Sequence, residues 1–163
     1  MSKNQSLKDI SEKWLLESIK NEYSYHFTWL GLPIIQYPQD IIAIQEIIWK
    51  IKPDLIIETG VARGGSVIFS ASLLELIGKG EVVGIDIDIR TENKRAIKNH
   101  PLNKRITMLE GSSIDKKIFE DVKKIAQGKK KILVILDSNH THKHVLSELK
   151  LYSTFVSKNS YLV

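Results

Sequence analysis

The chain has 163 residues, a length that suits one domain with a real hydrophobic core. Hydrophobic residues make up 42% and charged ones 26%, which excludes a disordered or fibrous protein, and the lack of cysteine excludes disulfides and thiolate metal sites. The net charge of +5 comes from 24 basic and 19 acidic residues. Much of the excess sits in Lys116-Lys117, Lys123-Lys124 and Lys129-Lys130-Lys131. These read as solvated helix faces rather than a nucleic-acid surface, because no aromatics are interleaved to stack on bases. No apolar run approaches the roughly 20 residues of a membrane span, and Met1 to Ser6 lacks the apolar core of a signal peptide. The expected location is cytoplasmic, with peripheral membrane association left open.

Along the chain, Trp14, Leu15, Ile19 and Tyr23 follow helical spacing and predict a peripheral amphipathic helix. Gly31-Leu32-Pro33 and Tyr37-Pro38 punctuate a loop. From Asp40, a suitable N-cap, Ile41, Ile44, Ile47, Ile48 and Ile51 mark a helix closed by Pro53. Leu55-Ile56-Ile57 is a short buried strand running into a glycine-rich turn, and Ser66 to Ile77 is helical until Gly78 and Gly80. Val82 to Ile85 reads as a strand, Thr91 to Asn99 as a helix, and Ile106 to Leu109 as a third strand. Ile114, Ile118, Val122 and Ile125 mark a helix ending near Gly128, and Ile132 to Leu136 is a fourth strand. Val145, Leu146, Leu149 and Tyr152 mark the next helix, and Tyr161-Leu162-Val163 begins a fifth strand.

Continuously apolar strands alternating with amphipathic helices imply an α/β fold, a Rossmann-like, doubly wound and mostly parallel sheet with helices on both faces. The expected division is residues 1–39, an N-terminal helix and loop over the site, and residues 40–163, the Rossmann-like domain proper. Ligands of such sheets bind at the carboxyl ends of the strands, so the residues standing there carry the functional reading.

The first strand ends in Glu58-Thr59-Gly60-Val61-Ala62-Arg63-Gly64-Gly65-Ser66. Glycines allow a sharp turn and close approach of a ligand, and the following helix offers free amides. The pattern is not the Gly-x-Gly-x-x-Gly of dinucleotide enzymes. Its acid, Glu58, suits a ligand with an ammonium group and no phosphate, as in S-adenosylmethionine, although a plain tight turn would also account for the glycines. Glu58, Gly60, Gly64 and Ser66 are the candidate residues here. Asp86, 26 residues after Gly60, ends the second strand and can accept the hydroxyls of a ribose. Asp88 reads as an N-cap or a supporting group. Ser112 and Ser113, after the third strand, border the adenine edge, and Ser113 also suits an N-cap. Asp137, after the fourth strand, offers a hard oxygen ligand for Mg²⁺. His140, His142 and His144 alternate along the chain, so all three do not converge on one zinc. His140, three residues after Asp137, is the candidate general base.

Together these segments resemble the class I S-adenosylmethionine-dependent methyltransferases and, more narrowly, the cephalosporin hydroxylase-type family, which includes sugar O-methyltransferases. The resemblance is carried by Gly31 to Asp40, Lys52 to Gly60, Gly64 to Ser66, Gly84 to Arg90, Glu110 to Ser113, Leu136 to His142 and Leu149 to Val163. It implies Mg²⁺-assisted methyl transfer from S-adenosylmethionine to a hydroxyl of a sugar, glycolipid or polyketide glycoside, in a protein that tends to form homo-oligomers. Asp137 matches the first metal ligand of such enzymes. His140 stands where catechol methyltransferases carry a basic lysine. The remaining metal ligands of the family come just past the fifth strand, where this sequence stops. The expectation is therefore an incomplete domain with weak Mg²⁺ binding and little turnover of its own. Two other readings are a nucleotide-binding domain of a nicotinamide oxidoreductase and a non-catalytic methyltransferase-like binding domain. Trp29 and Tyr37 either border the acceptor or pack against the helix that begins at Asp40.

Overall fold

A computed structural model describes residues 4–163. These described residues form six helices and six strands, with three short 3₁₀ turns. Helix α1 spans Gln5–Lys20 and starts where the Asn4 side chain accepts the Leu7 amide at 3.0 Å. Strands β1 (Phe27–Trp29) and β2 (Leu32–Ile34) form an antiparallel hairpin where the sequence suggested a loop. Leu30 and Gly31 both have positive φ, +46° and +93°, which is the two-residue hairpin turn that matches strand twist. A leucine in that turn and a proline in β2 hide it from a sequence reading, since neither is a usual hairpin signal.

Helix α2 (Pro38–Ile51) starts two residues before Asp40, with Tyr37 in the capping position and Asp40 in its first turn. Proline is pre-set for the first helical turn, which explains the earlier start. Strand β3 (Leu55–Thr59) leads into α3 (Gly65–Ile77), β4 (Glu81–Asp86) into α4 (Thr91–Asn99), β5 (Ile106–Glu110) into α5 (Lys116–Ala126), and β6 (Ile132–Leu136) into α6 (His142–Tyr152). The last four strands form one all-parallel sheet in the order β5-β4-β3-β6. The segment Tyr161 to Val163 continues the sheet beside β6: the Val163 amide donates to Val134 O at 2.9 Å and the Leu136 amide to Val163 O at 2.8 Å. The expected fifth strand thus starts in parallel with the fourth.

Successive residues of each strand feed opposite faces of the sheet. Ile56, Leu133 and Ile135 join the core under α2, α3 and the hairpin, whereas Leu55, Ile57 and Val134 join the core under α5 and α6. Helix α3 is buried on most sides because the hairpin covers its outer face. Trp29 stacks edge-on against Phe69 with centroids 4.9 Å apart, and its Nε1 donates to Ser72 Oγ at 3.1 Å. A side chain at Gly65 would meet Pro33 O at 2.3 Å, so the hairpin needs glycine at the start of α3. Trp29 therefore packs on α3, not on α2. Tyr37 turns to α1, where its hydroxyl lies 2.9 Å from Ser18 Oγ.

Helix α6 departs most from its reading. Leu146 and Leu149 are exposed, while Glu148 and Tyr152 are fully buried. The inward face carries His144, Glu148 and Tyr152 at four-residue spacing.

Candidate active site

Because the sheet is parallel, the loops after β3, β4, β5 and β6 gather at one edge. Three backbone bonds lock them: Gly60 N–H to Ile85 O, Gly111 N–H to Asp86 O and Asp137 N–H to Thr59 O, each 2.8 Å. The loops enclose a cleft of about 250 Å³ whose walls include Gly60, Asp86, Ser112, Ser113 and Asp137. Gly60 has φ +88°, and a Cβ there would lie 2.0 Å from Asp137 O. Only glycine lets the first and last of these loops touch.

Asp86 does more locally than the sequence suggests. Its Oδ2 accepts the amides of Val61 and Ala62 at 2.8 and 3.0 Å, and its Oδ1 accepts the Asp88 amide at 3.2 Å. A carboxylate has about four acceptor sites, so little more than one remains for a ligand hydroxyl. Asp88 is a partner of Asp86 and not a helix cap, since α4 begins at Thr91. Ser113 is likewise not the cap of α5. That place belongs to Asp115, whose side chain accepts the Lys117 amide at 2.7 Å.

Glu58 lies beneath the cleft, 2% exposed, and its Oε2 has no hydrogen-bond partner among the described residues. Burial pushes its carboxyl up to about 7, with a further push from Asp137 and an opposing pull from the Ser66 hydroxyl. Asp137 is raised as well, mainly by burial, against the pull of His140 and the Gln36 amide. Gln36 Oε1 is a second buried acceptor lacking a partner among the described residues. Gln36, Gly60, Ser66 and Asp137 share the wall of a small cavity of about 40 Å³ beside the main cleft. From the other side, a groove of about 320 Å³ bordered by Gln36, Tyr37 and Asp40 also reaches Asp137.

Of the other expected residues, Gly64 (φ +89°) packs under Ile97 and lies away from the cleft wall. His140 is 82% exposed, its Nε2 3.9 Å from Asp137 Oδ1 and outside hydrogen-bonding reach. Among the described residues no three His, Cys, Asp or Glu side chains are grouped to hold a metal.

A sequence reading passes over the buried polar network on the inward face of α6. His144 Nε2 lies 3.0 Å from Ser113 Oγ and 3.2 Å from Ser138 Oγ, and Ser138 Oγ donates to Glu148 Oε1 at 2.7 Å. Tyr152 donates its hydroxyl to Ser113 O at 2.7 Å, and burial near Glu148 pushes its phenol far above the usual value. The four-residue spacing was the available signal, but polar residues at that spacing usually mark a solvent face. The same imidazole nitrogen faces serine and glutamate, so this is not a serine hydrolase relay, in which the acid holds the other ring nitrogen.

The lysine clusters are in part ion-paired on the surface: Lys124 with Asp121 at 2.8 Å, Lys123 with Glu120 at 4.0 Å, and Lys129 with Glu81 at 2.5 Å. Among the described residues no helix is long and apolar enough to cross a membrane.

Comparison with known proteins bears on this edge of the sheet directly. A rhamnosyl O-methyltransferase of Mycobacterium bovis (strain BCG / Pasteur 1173P2) is 32% identical over 138 residues, covering 83% of this chain and 55% of that protein. A rhamnosyl O-methyltransferase of Mycobacterium leprae (strain TN) is 32% identical over 137 residues, covering 83% of this chain and 58% of its own length. The chain thus spans little more than half the length of these relatives. A solved structure of CmcI with Mg-SAM superposes with a TM-score of 0.64 at 20% identity, covering 85% of this chain and 56% of that one. A putative caffeoyl-CoA O-methyltransferase from Staphylococcus aureus gives a TM-score of 0.60 at 15% identity over 99% of this chain and 66% of its own. These structures establish the fold as the Rossmann-like one of class I methyltransferases. The family model described as rhamnosyl O-methyltransferase/CmcI matches residues 21–163, a stretch that takes in all six strands and the whole cleft, and the chain belongs to that family.

Proposed function

We propose that this chain carries the S-adenosylmethionine-binding part of an O-methyltransferase acting on a hydroxyl of a sugar, glycolipid or polyketide glycoside. The observation that supports this most is the pair of unpartnered buried acceptors, Glu58 Oε2 and Gln36 Oε1, set close to a glycine turn. Two orphan acceptors next to Asp137 suit a ligand with a compact ammonium group and would repel a pyrophosphate. That favours S-adenosylmethionine over a nicotinamide dinucleotide.

In this reading Glu58, Gly60 and Ser66 hold the amino-acid end of the cofactor, with Gln36 added to the set. Gly64 shapes the turn that presents them. Asp86 accepts a ribose hydroxyl while keeping the loop amides of Val61 and Ala62. Ser112 and Ser113 border the base. When bound, the cofactor supplies an electrophilic methyl group. The chain's own contribution is to orient it and keep water from the buried carboxylates. In the same reading the helix and hairpin loop of residues 4–39 cover this site, and residues 40–163 form the cofactor-binding domain.

The acceptor would enter by the groove at Gln36, Tyr37 and Asp40, so that its hydroxyl comes near Asp137. His140, beside Asp137, is the proposed base for that hydroxyl. Asp137 would give Mg²⁺ one hard oxygen ligand. The described residues do not complete a metal site, so no step is assigned to a metal. The relatives' names support a rhamnosyl-type acceptor, and MycE, a neighbour solved with Mg, SAH and mycinamycin VI, supports the polyketide-glycoside alternative.

The test is thermal shift and calorimetry with S-adenosylmethionine, S-adenosylhomocysteine and NAD. Stabilisation by the first two and not by NAD is expected. A folded sample that responds to neither sulfur compound overturns the proposal, and a response to NAD alone supports the oxidoreductase reading instead.

A further inference from the structure

The proton positions in the α6 network can be deduced from its bonds. Ser138 has one hydroxyl hydrogen, and it goes to the buried Glu148 carboxylate at 2.7 Å. Ser138 Oγ can then meet His144 Nε2 only as an acceptor, so Nε2 carries a hydrogen. The same N–H lies 3.0 Å from Ser113 Oγ, which therefore also accepts from it. The hydrogen of the Ser113 hydroxyl is left over, without another partner among the described residues. Ser113 lines the cleft, and its backbone is fixed by the bond from the Tyr152 hydroxyl to its carbonyl oxygen.

We propose that His144, backed by Glu148, is a positioning residue that fixes the Ser113 hydroxyl as a hydrogen-bond donor into the cleft, so that the site selects a ligand presenting an acceptor nitrogen at that point. The inference rests on the cofactor reading above, in which the adenine ring of S-adenosylmethionine lies against Ser112 and Ser113. A purine has ring nitrogens that accept and no ring C–H that does, so the fixed donor discriminates between them. The relay runs through one imidazole nitrogen, Nε2, which faces both serines.

Two measurements test this on the full chain. The first is nitrogen-15 NMR of the histidine rings, which reads the His144 tautomer without any ligand. The expected neutral form bears its hydrogen on Nε2, and a hydrogen on Nδ1 alone overturns the relay. The second compares S-adenosylhomocysteine with analogues in which one ring nitrogen is replaced by C–H. The natural compound should bind roughly five- to tenfold more tightly than one of these analogues, the value of one hydrogen bond. Ser113→Ala should bind the two equally. His144→Leu should lose the discrimination and His144→Gln should keep it, because an amide N–H can replace the imidazole N–H. Should His144→Leu fail to fold, Ser113→Ala and His144→Gln still decide the matter. Equal binding of all analogues by the unaltered protein, or unchanged discrimination in Ser113→Ala, overturns the inference. A folded chain that binds no S-adenosylhomocysteine overturns the cofactor reading and the selectivity with it, and the tautomer then decides the relay alone.

Discussion

At the Asp86 end of the cleft the backbone makes the bonds, whereas at the Ser113 end side chains do. Asp86 gathers the amides of Val61, Ala62 and Asp88, all within three residues of a strand end. Ser113 is held instead by His144 and Tyr152, which lie 31 and 39 residues further on. The first arrangement depends on loop geometry and tolerates little change in shape. The second depends on which helix face turns inward and tolerates shape changes better than changes of hydrogen-bonding type.

The largest effect should come from breaking the backbone-built end. Gly60→Ala puts a methyl 2.0 Å from Asp137 O at a φ of +88°. Strain and overpacking together should cost about 4 kcal/mol. Urea denaturation measures it, and a midpoint unchanged from the parent would show that the loops can separate freely.

Glu58 gives the next effect and separates charge from shape. Its carboxyl sits near 7 in the fold against an ordinary 4.5. The folded state therefore holds the extra proton between these values. The stability this contributes is fully present below pH 4.5 and is lost as pH rises through 7, by roughly 3 kcal/mol at most. Glu58→Gln should lack this fall, so the two stability curves should diverge toward neutral pH. Parallel curves would mean that the carboxylate is better solvated than its burial implies. A bound ammonium group favours the ionised carboxylate, so S-adenosylhomocysteine binding near pH 6 should release a proton, measurable by calorimetry in buffers of different ionisation heat.

Asp86→Ala ranks third. It leaves two loop amides without their acceptor at the cleft rim, worth about 2 kcal/mol. Asp86→Asn keeps one acceptor oxygen and should lose about half as much. Equal losses in the two variants would show that the negative charge, not the acceptor, holds the loop.

The same contrast explains what the amino-acid sequence disclosed. Strands β3 to β6 and helix α3 are legible because unbroken apolar runs end at Gly60, Gly78 and Gly80, where the chain has to turn. Asp86 and Asp137 are legible as carboxylates directly after such runs. The α6 network is not, because a buried Glu148 has the same letter as a solvated one, and its partner Ser113 sits on a distant strand end. Leu146 and Leu149 mislead in the other direction, since their apolar character suggested the inward face while the helix turns them out. The orphan acceptor of Gln36 is equally hidden, because only the fold brings the segment after the hairpin beside Asp137.

The hairpin tests that last point at the smallest scale. Trp29 contributes two separable interactions to α3, the edge-on stack with Phe69 and the Nε1 bond to Ser72 Oγ. Trp29→Phe keeps an aromatic ring and removes the donor. Ser72 Oγ remains engaged, because its own hydrogen goes to Phe69 O at 2.7 Å. The loss should then stay near 1 kcal/mol, one hydrogen bond plus a small packing deficit. Trp29→Ala removes the stack as well and should cost about 3 kcal/mol. If Trp29→Phe costs as much as Trp29→Ala, the indole bond and not the stack anchors the hairpin over α3. Gln36 and the groove beside Asp137 would then be held in place by that one donor.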